Sequence, residues 1–270
     1  MLRKVNWRHL PLAVVALYAL APMALLAINS FKTETDITYN PMGLPTQWTL
    51  QNYADAWTQG DLAQGYINTL LIAVATVLLE CLVAGLAAYA LSHLNPPGSN
   101  LVTGYLFLSL SLPVAFVPLF FIDVKLGLIN NYFGVIIPYV GGGFAFNVFL
   151  LRAFMLGISK ELVESARVDG AGNLAIFARI IAPLSQPAFI IVAIFTTLGT
   201  WNEILLANAV LQDNRYRTLA VSYLDFQTQH STSWSLMAAD GVMTTLPMVL
   251  LFLLMTKRFI SGLQEGGLKF

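Results

Sequence analysis

The chain reads as an all-α integral membrane protein with six spanning helices. Three observations carry that reading. Of 270 residues, 57% are hydrophobic and only 10% charged, and the mean hydropathy is +0.70. A soluble domain carries about 25% charged residues, so this chain lacks the polar surface to face water. The apolar residues are also gathered into continuous runs of spanning length, about 20 residues each. Those runs do not alternate every second residue, which excludes a β-barrel pattern. Lipid offers backbone groups no water to bond, so such runs must be helices.

The runs are 10–28, 66–91, 101–121, 132–154, 187–211 and 238–259. The first resembles a secretion signal, with Arg3, Lys4 and Arg8 before it and Ala19-Leu20-Ala21 as a cleavage-like site. Pro22 follows at once, however, and the run continues to Ile28, the length of a retained span. Asp240 lies near the start of the sixth run.

Basic residues set the orientation. With the N-terminus inside, Arg3, Lys4, Arg8, Arg152, Lys160, Arg167, Arg179, Lys257, Arg258 and Lys269 are cytoplasmic, against Lys32, Lys125, Arg215 and Arg217 outside. This ten-to-four split follows the positive-inside rule and puts both termini and residues 155–185 in the cytoplasm. Residues 29–65 and 212–237 are external loops, the first broken by Pro41, Gly43 and Pro45.

Equal numbers of acidic and basic residues leave no nucleic-acid footprint. The lone Cys81 excludes an internal disulfide, and the isolated His9, His93 and His230 have no metal-ligand spacing. No phosphate-binding Gly-x-x-x-x-Gly-Lys-Ser/Thr loop occurs. Nor does any nucleophile–base or His-Glu-x-x-His signature of a membrane enzyme.

Between the fourth and fifth runs lies "ELVESARVDGAG", residues 161–172. Ser159 is placed to cap a short helix with Glu161 in its first turn. Leu162, Val163 and Ala166 form a small apolar face, and Gly170 stops the helix. A second helix starts at Asn173, with Leu174, Phe177, Ile180 and Ile181 on one side, and Pro183 ends it. Too short and charged to span, this segment either rests on lipid headgroups or docks in another protein's groove. The residues alone leave both open.

The stretch "ELVESARVDGAGNLAIFARIIAPLSQPAF" resembles the coupling loop of ABC-importer permeases: Glu-Ala-Ala, three residues, Gly, then a distant hydrophobic-x-x-Pro. Glu164, Ser165, Ala166 and Gly170 fill the first part, with Ser165 in place of the usual alanine; Ile181 and Pro183 fall in the second. "NTL" at 68–70, "AAYALSHL" at 87–94, "LGLINNYFGVIIPY" at 126–139 and "WNEILLA" at 201–207 are similar to the carbohydrate-importer, maltose-transporter-like branch. The ending "FISGLQEGGLKF" resembles that branch's tail, departing from it at Gly267, Leu268 and Phe270.

The resemblance implies a type I ABC-importer permease fold over residues 1–270 and a non-catalytic, binding-protein-dependent permease subunit of a bacterial inner-membrane carbohydrate importer. It implies that Glu164, Ser165, Ala166, Asp169, Gly170 and Pro183 couple to a cytoplasmic ATPase. It also implies a second homologous permease, two ATPase subunits that bind ATP and Mg, an extracytoplasmic solute-binding protein, and no cofactor in this chain. The alternative is a self-sufficient secondary transporter or channel, for which Glu80 and Glu203 are the candidate ion-coupling acids within the runs.

Three features invite a site. Glu80 sits near the centre of the second run, as a pathway residue, an interhelical clamp, or a protonated acid donating to a neighbouring backbone. The last is preferred, because the branch motifs place no acid there. Gly141, Gly142 and Gly143 interrupt the fourth run beside Asn147, either as a midplane break lining a substrate site or as a close-packing surface. Trp201, Asn202 and Glu203 end the fifth run, as an aromatic anchor and outer-gate element or as sugar contacts. Asn147, Trp201, Asn202 and Glu203 are thus the substrate-pathway candidates.

Overall fold

The computed structural model describes residues 10–227 and 233–267. Arg3, Lys4, Arg8, His9, His230, Leu268, Lys269 and Phe270 lie outside them. Among the described residues the regular structure is helical. In chain order the helices are α1 (Leu10–Asn29), α2 (Glu34–Tyr39), α3 (Gln51–Gln59), α4 (Leu62–Tyr89), α5 (Ser99–Ser109), α6 (Phe116–Leu126), α7 (Phe133–Leu156), α8 (Lys160–Val168), α9 (Asn173–Ile176), α10 (Ala182–Leu184), α11 (Gln186–Asn202), α12 (Leu205–Val210), α13 (Leu219–Asp225) and α14 (Trp234–Gly267). Two π-helical turns, Ala90–Leu94 and Phe177–Ile181, extend α4 and join α9 to α10.

Among the described residues, four helical stretches are long and apolar enough to cross a membrane: Pro11–Asn29, Leu62–Leu94, Phe133–Leu156 and Trp234–Leu254. They correspond to the first, second, fourth and sixth runs. At 1.5 Å per residue, Leu62–Leu94 reaches roughly 50 Å, well beyond the ~30 Å hydrocarbon core, so it tilts or projects from the bilayer. Pro22, Pro138 and Pro247 sit inside helices, which lipid-embedded helices tolerate when neighbours satisfy the freed carbonyls.

The other two runs are divided. The third breaks between α5 and α6, at residues 110–115. Pro113 lacks an N–H and pushes Leu112 out of the helical region. The α5 end tightens into three-residue turns, Ser111 N donating to Leu108 O and Leu112 N to Ser109 O. In the fifth run α11 stops at Asn202, Glu203 is extended, and α12 begins at Leu205. The 17 residues of α11 cover about 26 Å. The glycine run does the opposite of what its composition predicts: α7 passes through Gly141, Gly142 and Gly143 unbroken. Glycine lowers helix propensity by about 1 kcal/mol, a local cost that the neighbouring turns of a 24-residue helix outweigh.

The chain forms two compact units. The first comprises Met1–Ala63 and Val221–Val249. Its small core holds Ala56, Phe226, Met237 and Ala239. The 29–65 segment is ordered by polar side chains: buried Lys32 donates Nζ to Asn40 O at 2.6 Å and Pro41 O at 3.3 Å, and Asn52 Nδ2 donates to Ser30 O and Lys32 O. Phe31 packs on Trp48 and Tyr53. Asp240, fully buried in this unit, accepts from Thr244 Oγ1, so the acid of the sixth run faces protein rather than lipid. The Glu34 carboxylate caps α14, accepting from Trp234 N, Ser235 N and Ser235 Oγ at 2.7–3.0 Å.

The second unit comprises Gln64–Ala220 and Leu250–Phe270. α7 packs against α11, and α12 against α6 and α7. Its main core gathers Ala84, Tyr89, Leu106, Val148, Leu151, Met155, Ala188 and Val192 with Val163, Ile176 and Ile181.

Because three donors converge on Glu34, Glu34→Ala should destabilise the start of α14 by about 1–2 kcal/mol. Thermal unfolding in detergent should show a lower midpoint for Glu34→Ala, with Glu34→Gln in between.

Candidate functional site

Two places in the second unit gather the residues that the sequence marks. The first is the helix–glycine–helix at 159–185. Ser159 Oγ accepts from Glu161 N at 3.2 Å, as an N-cap. At the other end Gly170 has φ +84°, Ala171 N donates to Ala166 O at 2.9 Å, and Gly170 N donates to Arg167 O at 3.0 Å. This pair of reversed bonds is a Schellman motif, which needs a left-handed residue after the helix. A Cβ on Gly170 would meet nothing within 4 Å, so the backbone angle alone demands glycine.

The apolar face of α8 divides. Val163 is buried in the core and Ala166 packs against it, which is worth about 1.5–3 kcal/mol for the valine. Leu162 points outward, with Val168 88% and Leu174 71% exposed. Glu164, Ser165, Asp169 and Gly170 are also exposed, and Ser165 Oγ donates back to Glu161 O. The second helix does not end at Pro183. That residue is exposed and lies inside the last turn of the continuous helical stretch Asn173–Leu184. The chain turns instead at Ser185, through 80° between Asn173–Leu184 and Gln186–Asn202. The segment is thus anchored by Val163, Ile176 and Ile181 on one side and bare on the other.

The second place is a cavity of about 350 Å³ between α6, α7, α11 and α12. Tyr139, Phe146 and Phe195 give it aromatic walls; Asn147, Thr196, Thr200 and Glu203 give it polar groups. A neighbouring hollow of about 490 Å³ shares Val114, Leu119, Pro138 and Gly142. Cavities that hold small molecules run from about 300 to 1,000 Å³. Gly141 and Gly142 have open space where a side chain would stand, so the glycines hollow the wall of α7 without breaking it.

Of the four pathway candidates, the structure brings Asn147 and Glu203 to this cavity and leaves Trp201 and Asn202 off its lining. Trp201 is 5% exposed and packs on Tyr66 at 6.3 Å, in the protein interior rather than in a lipid-facing aromatic belt. Asn202 bonds back to Leu198 O. Glu203 bridges the break in the fifth run: its carboxylate accepts from Leu206 N at 2.9 Å, Ala207 N at 3.1 Å and Tyr139 Oη at 2.6 Å. It caps α12 and ties it to α7.

Glu80 is fully buried, and an acid at a span centre costs about 3 kcal/mol. Its partner is a side chain, not the expected backbone group: Asn147 Nδ2 donates to Oε1 at 3.0 Å. Asn147 Nδ2 also lies 3.5 Å from Thr196 Oγ1.

Polar clasps outside the cavity carry little sequence signal as function. Asn68 Nδ2 donates to Arg215 O and Arg217 O at 2.9 and 2.8 Å, and its Oδ1 accepts from Tyr132 Oη and Gln64 Nε2. Thr69 Oγ1 accepts from Leu219 N. Asn130, at φ +56°, accepts from Asp213 N. Beside it Arg215 bonds the Asp213 carboxyl and holds it down to about 2. The residues of "NTL", "LGLINNYFGVIIPY" and "WNEILLA" therefore include side chains that join helices to loops.

Comparison with known proteins gives this architecture a family. Residues 81–263 match the binding-protein-dependent transport system inner membrane component family, and the chain belongs to it. It is 33% identical over 250 residues to a probable ABC transporter permease protein, YurM, of Bacillus subtilis, covering 92% of this chain and 83% of that one. It is 31% identical over 262 residues to the diacetylchitobiose uptake system permease protein NgcG of Streptomyces coelicolor, covering 96% and 87%. The fold is similar to that of a bacterial ABC transporter chain involved in import of the acidic polysaccharide alginate. That match has a TM-score of 0.81 and 23% identity, and covers 93% of this chain and 95% of the other. The protein is a non-catalytic, multi-pass transport component of the inner membrane, which sets aside the self-sufficient transporter or channel.

If Glu203 serves as a cap, Glu203→Ala leaves two amides and a phenol without their acceptor and should cost about 1–3 kcal/mol. The detergent melting temperature should fall. An unchanged melting temperature would instead assign Glu203 to solute contact.

Proposed function

We propose that the chain is the permease subunit of an ATP-driven carbohydrate importer, forming half of its translocation pathway. Residues 1–270 act as one transmembrane unit that crosses the membrane six times, α5–α6 and α11–α12 each counting as one broken crossing. Both termini and α8 face the cytoplasm, in keeping with the ten-to-four basic asymmetry. A second homologous permease completes the pathway. Two ATPase subunits bind ATP and Mg, and an extracytoplasmic binding protein delivers a sugar or polyol. The diacetylchitobiose and alginate systems among the similar proteins support the carbohydrate class.

The observation that carries this reading is the two-sided segment at 159–185. One face, through Val163, Ile176 and Ile181, is packed into the span core; the other leaves Glu164, Ser165, Asp169 and Gly170 bare, with Ala166 between them. Glu164, Ser165, Ala166, Asp169, Gly170 and Pro183 form the coupling element. Force applied to the bare face passes through close-packed side chains, which transmit strain. Asn147 and Glu203 line the solute path; Trp201 and Asn202 shape the end of α11 beside it.

Co-purification with the ATPase and binding-protein-stimulated ATP hydrolysis test the reading. Gly170→Val is strained at φ +84° by about 1 kcal/mol or more and should re-aim α8. Glu164→Lys reverses an exposed charge. Both should abolish stimulated hydrolysis while the spans still insert, and Gly170→Asn, which tolerates the left-handed conformation, should restore most of it. Parental stimulation by Gly170→Val and Glu164→Lys would return the segment to a lipid-surface role.

Topology has its own test. In a Cys81→Ser background, a cysteine at Ser159 should label only from the cytoplasmic side, and one at Thr46 only from outside. Ser231, in the second external loop, lies outside the described residues. Labelling of both positions from one side would overturn the six-crossing arrangement.

A further inference from the structure

We propose that Glu80 is a neutral carboxylic acid joined to the Asn147 carboxamide by two parallel hydrogen bonds, and that this pair positions Asn147 at the cavity wall. One of the two bonds is in place, from Asn147 Nδ2 to Glu80 Oε1 at 3.0 Å. Glu80 is 0% and Asn147 3% exposed. The atoms left without partners are Glu80 Oε2 and Asn147 Oδ1, the other halves of the same two groups. With Glu80 ionised, both are acceptors: they repel each other, and two buried polar atoms stay unsatisfied. A proton on Oε2 turns that oxygen into a donor to Oδ1. It satisfies both atoms and closes a planar ring of two bonds.

The surroundings fit this assignment. Among the described residues, no basic side chain lies within ion-pair distance of Glu80, so nothing compensates a buried charge. Gly143 makes room for the pair: a Cβ there would stand 3.1 Å from Asn147 Nδ2 and 3.6 Å from the Glu80 Cδ and Oε1. The pair links the second and fourth runs at the level of the cavity that Asn147 lines. With Nδ2 and Oδ1 both engaged, the carboxamide cannot flip, and Asn147 presents one fixed face. The inference rests on the proposed permease function only in calling that wall part of a solute path. The acid–amide pair itself does not need it.

Infrared difference spectra of the purified permease–ATPase complex, parent minus Glu80→Gln, test it without any solute. A protonated-carboxyl band should be present at neutral pH, and Asn147→Leu should shift it, because its hydrogen-bond partner is gone. Glutamine offers one acceptor and one N–H donor, so Glu80→Gln should keep the parental melting temperature and basal ATP hydrolysis. Glu80→Leu should lower the melting temperature by roughly 5 °C. A carboxylate band at neutral pH, or a fall in melting temperature in Glu80→Gln matching that in Glu80→Leu, would overturn the proposal. Loss of stimulated hydrolysis in Gly170→Asn as well as Gly170→Val bears on the coupling reading alone, since neither variant touches the infrared band.

Discussion

In lipid, a polar group that finds no partner within the protein finds none at all. That constraint falls hardest where helices stop, because each helix end leaves several amides or carbonyls unpaired. Here the breaks are closed by side chains reaching from elsewhere in the same unit. Glu203 receives the first amides of α12 and the Tyr139 hydroxyl. Asn68 Nδ2 donates to the carbonyls of Arg215 and Arg217, and Arg152 Nε donates to Leu91 O within the π-helical turn Ala90–Leu94. In the other unit Glu34 caps α14. With these clasps, helix ends and breaks find their partners within the protein.

The same economy explains where the unit can be hollow. A run of continuous, close-packed spans leaves no room for a solute. The divided fifth run at Glu203 and the bare face of α7 at Gly142 border a cavity walled by aromatic rings and a few polar groups. Glu203 then serves twice, holding the break together and lining the space beside it.

At the helix–glycine–helix the unit uses a different device. α8 has too few residues to be stable alone, since isolated helices under about 12–15 residues are marginal in water. Its caps at Ser159 and Gly170 define its length, and Val163 fastens it to the span core. A short helix that owes its position to packing moves with what it packs against.

The helical class, the existence of the long spans and the capped α8 were legible in the sequence, because apolar length, Ser159 and Gly170 act locally and lipid admits few alternatives. The tail from Leu268 and the basic N-terminal residues lie beyond what the structure describes. Tertiary structure alone decided the rest. Pro113 is visible in the sequence, but whether a span kinks or divides there depends on the neighbours that receive its free groups. The three glycines read as a break and proved to be an open wall, because helix continuity is set by the turns on either side. Trp201, Asn202 and Glu203 are adjacent in the chain yet point to three environments. Glu80 and Asn147 are 67 positions apart, and nothing local to either announces the other. Pairings of this kind exist only once two helices are side by side, so the sequence could offer the groups but not the bond.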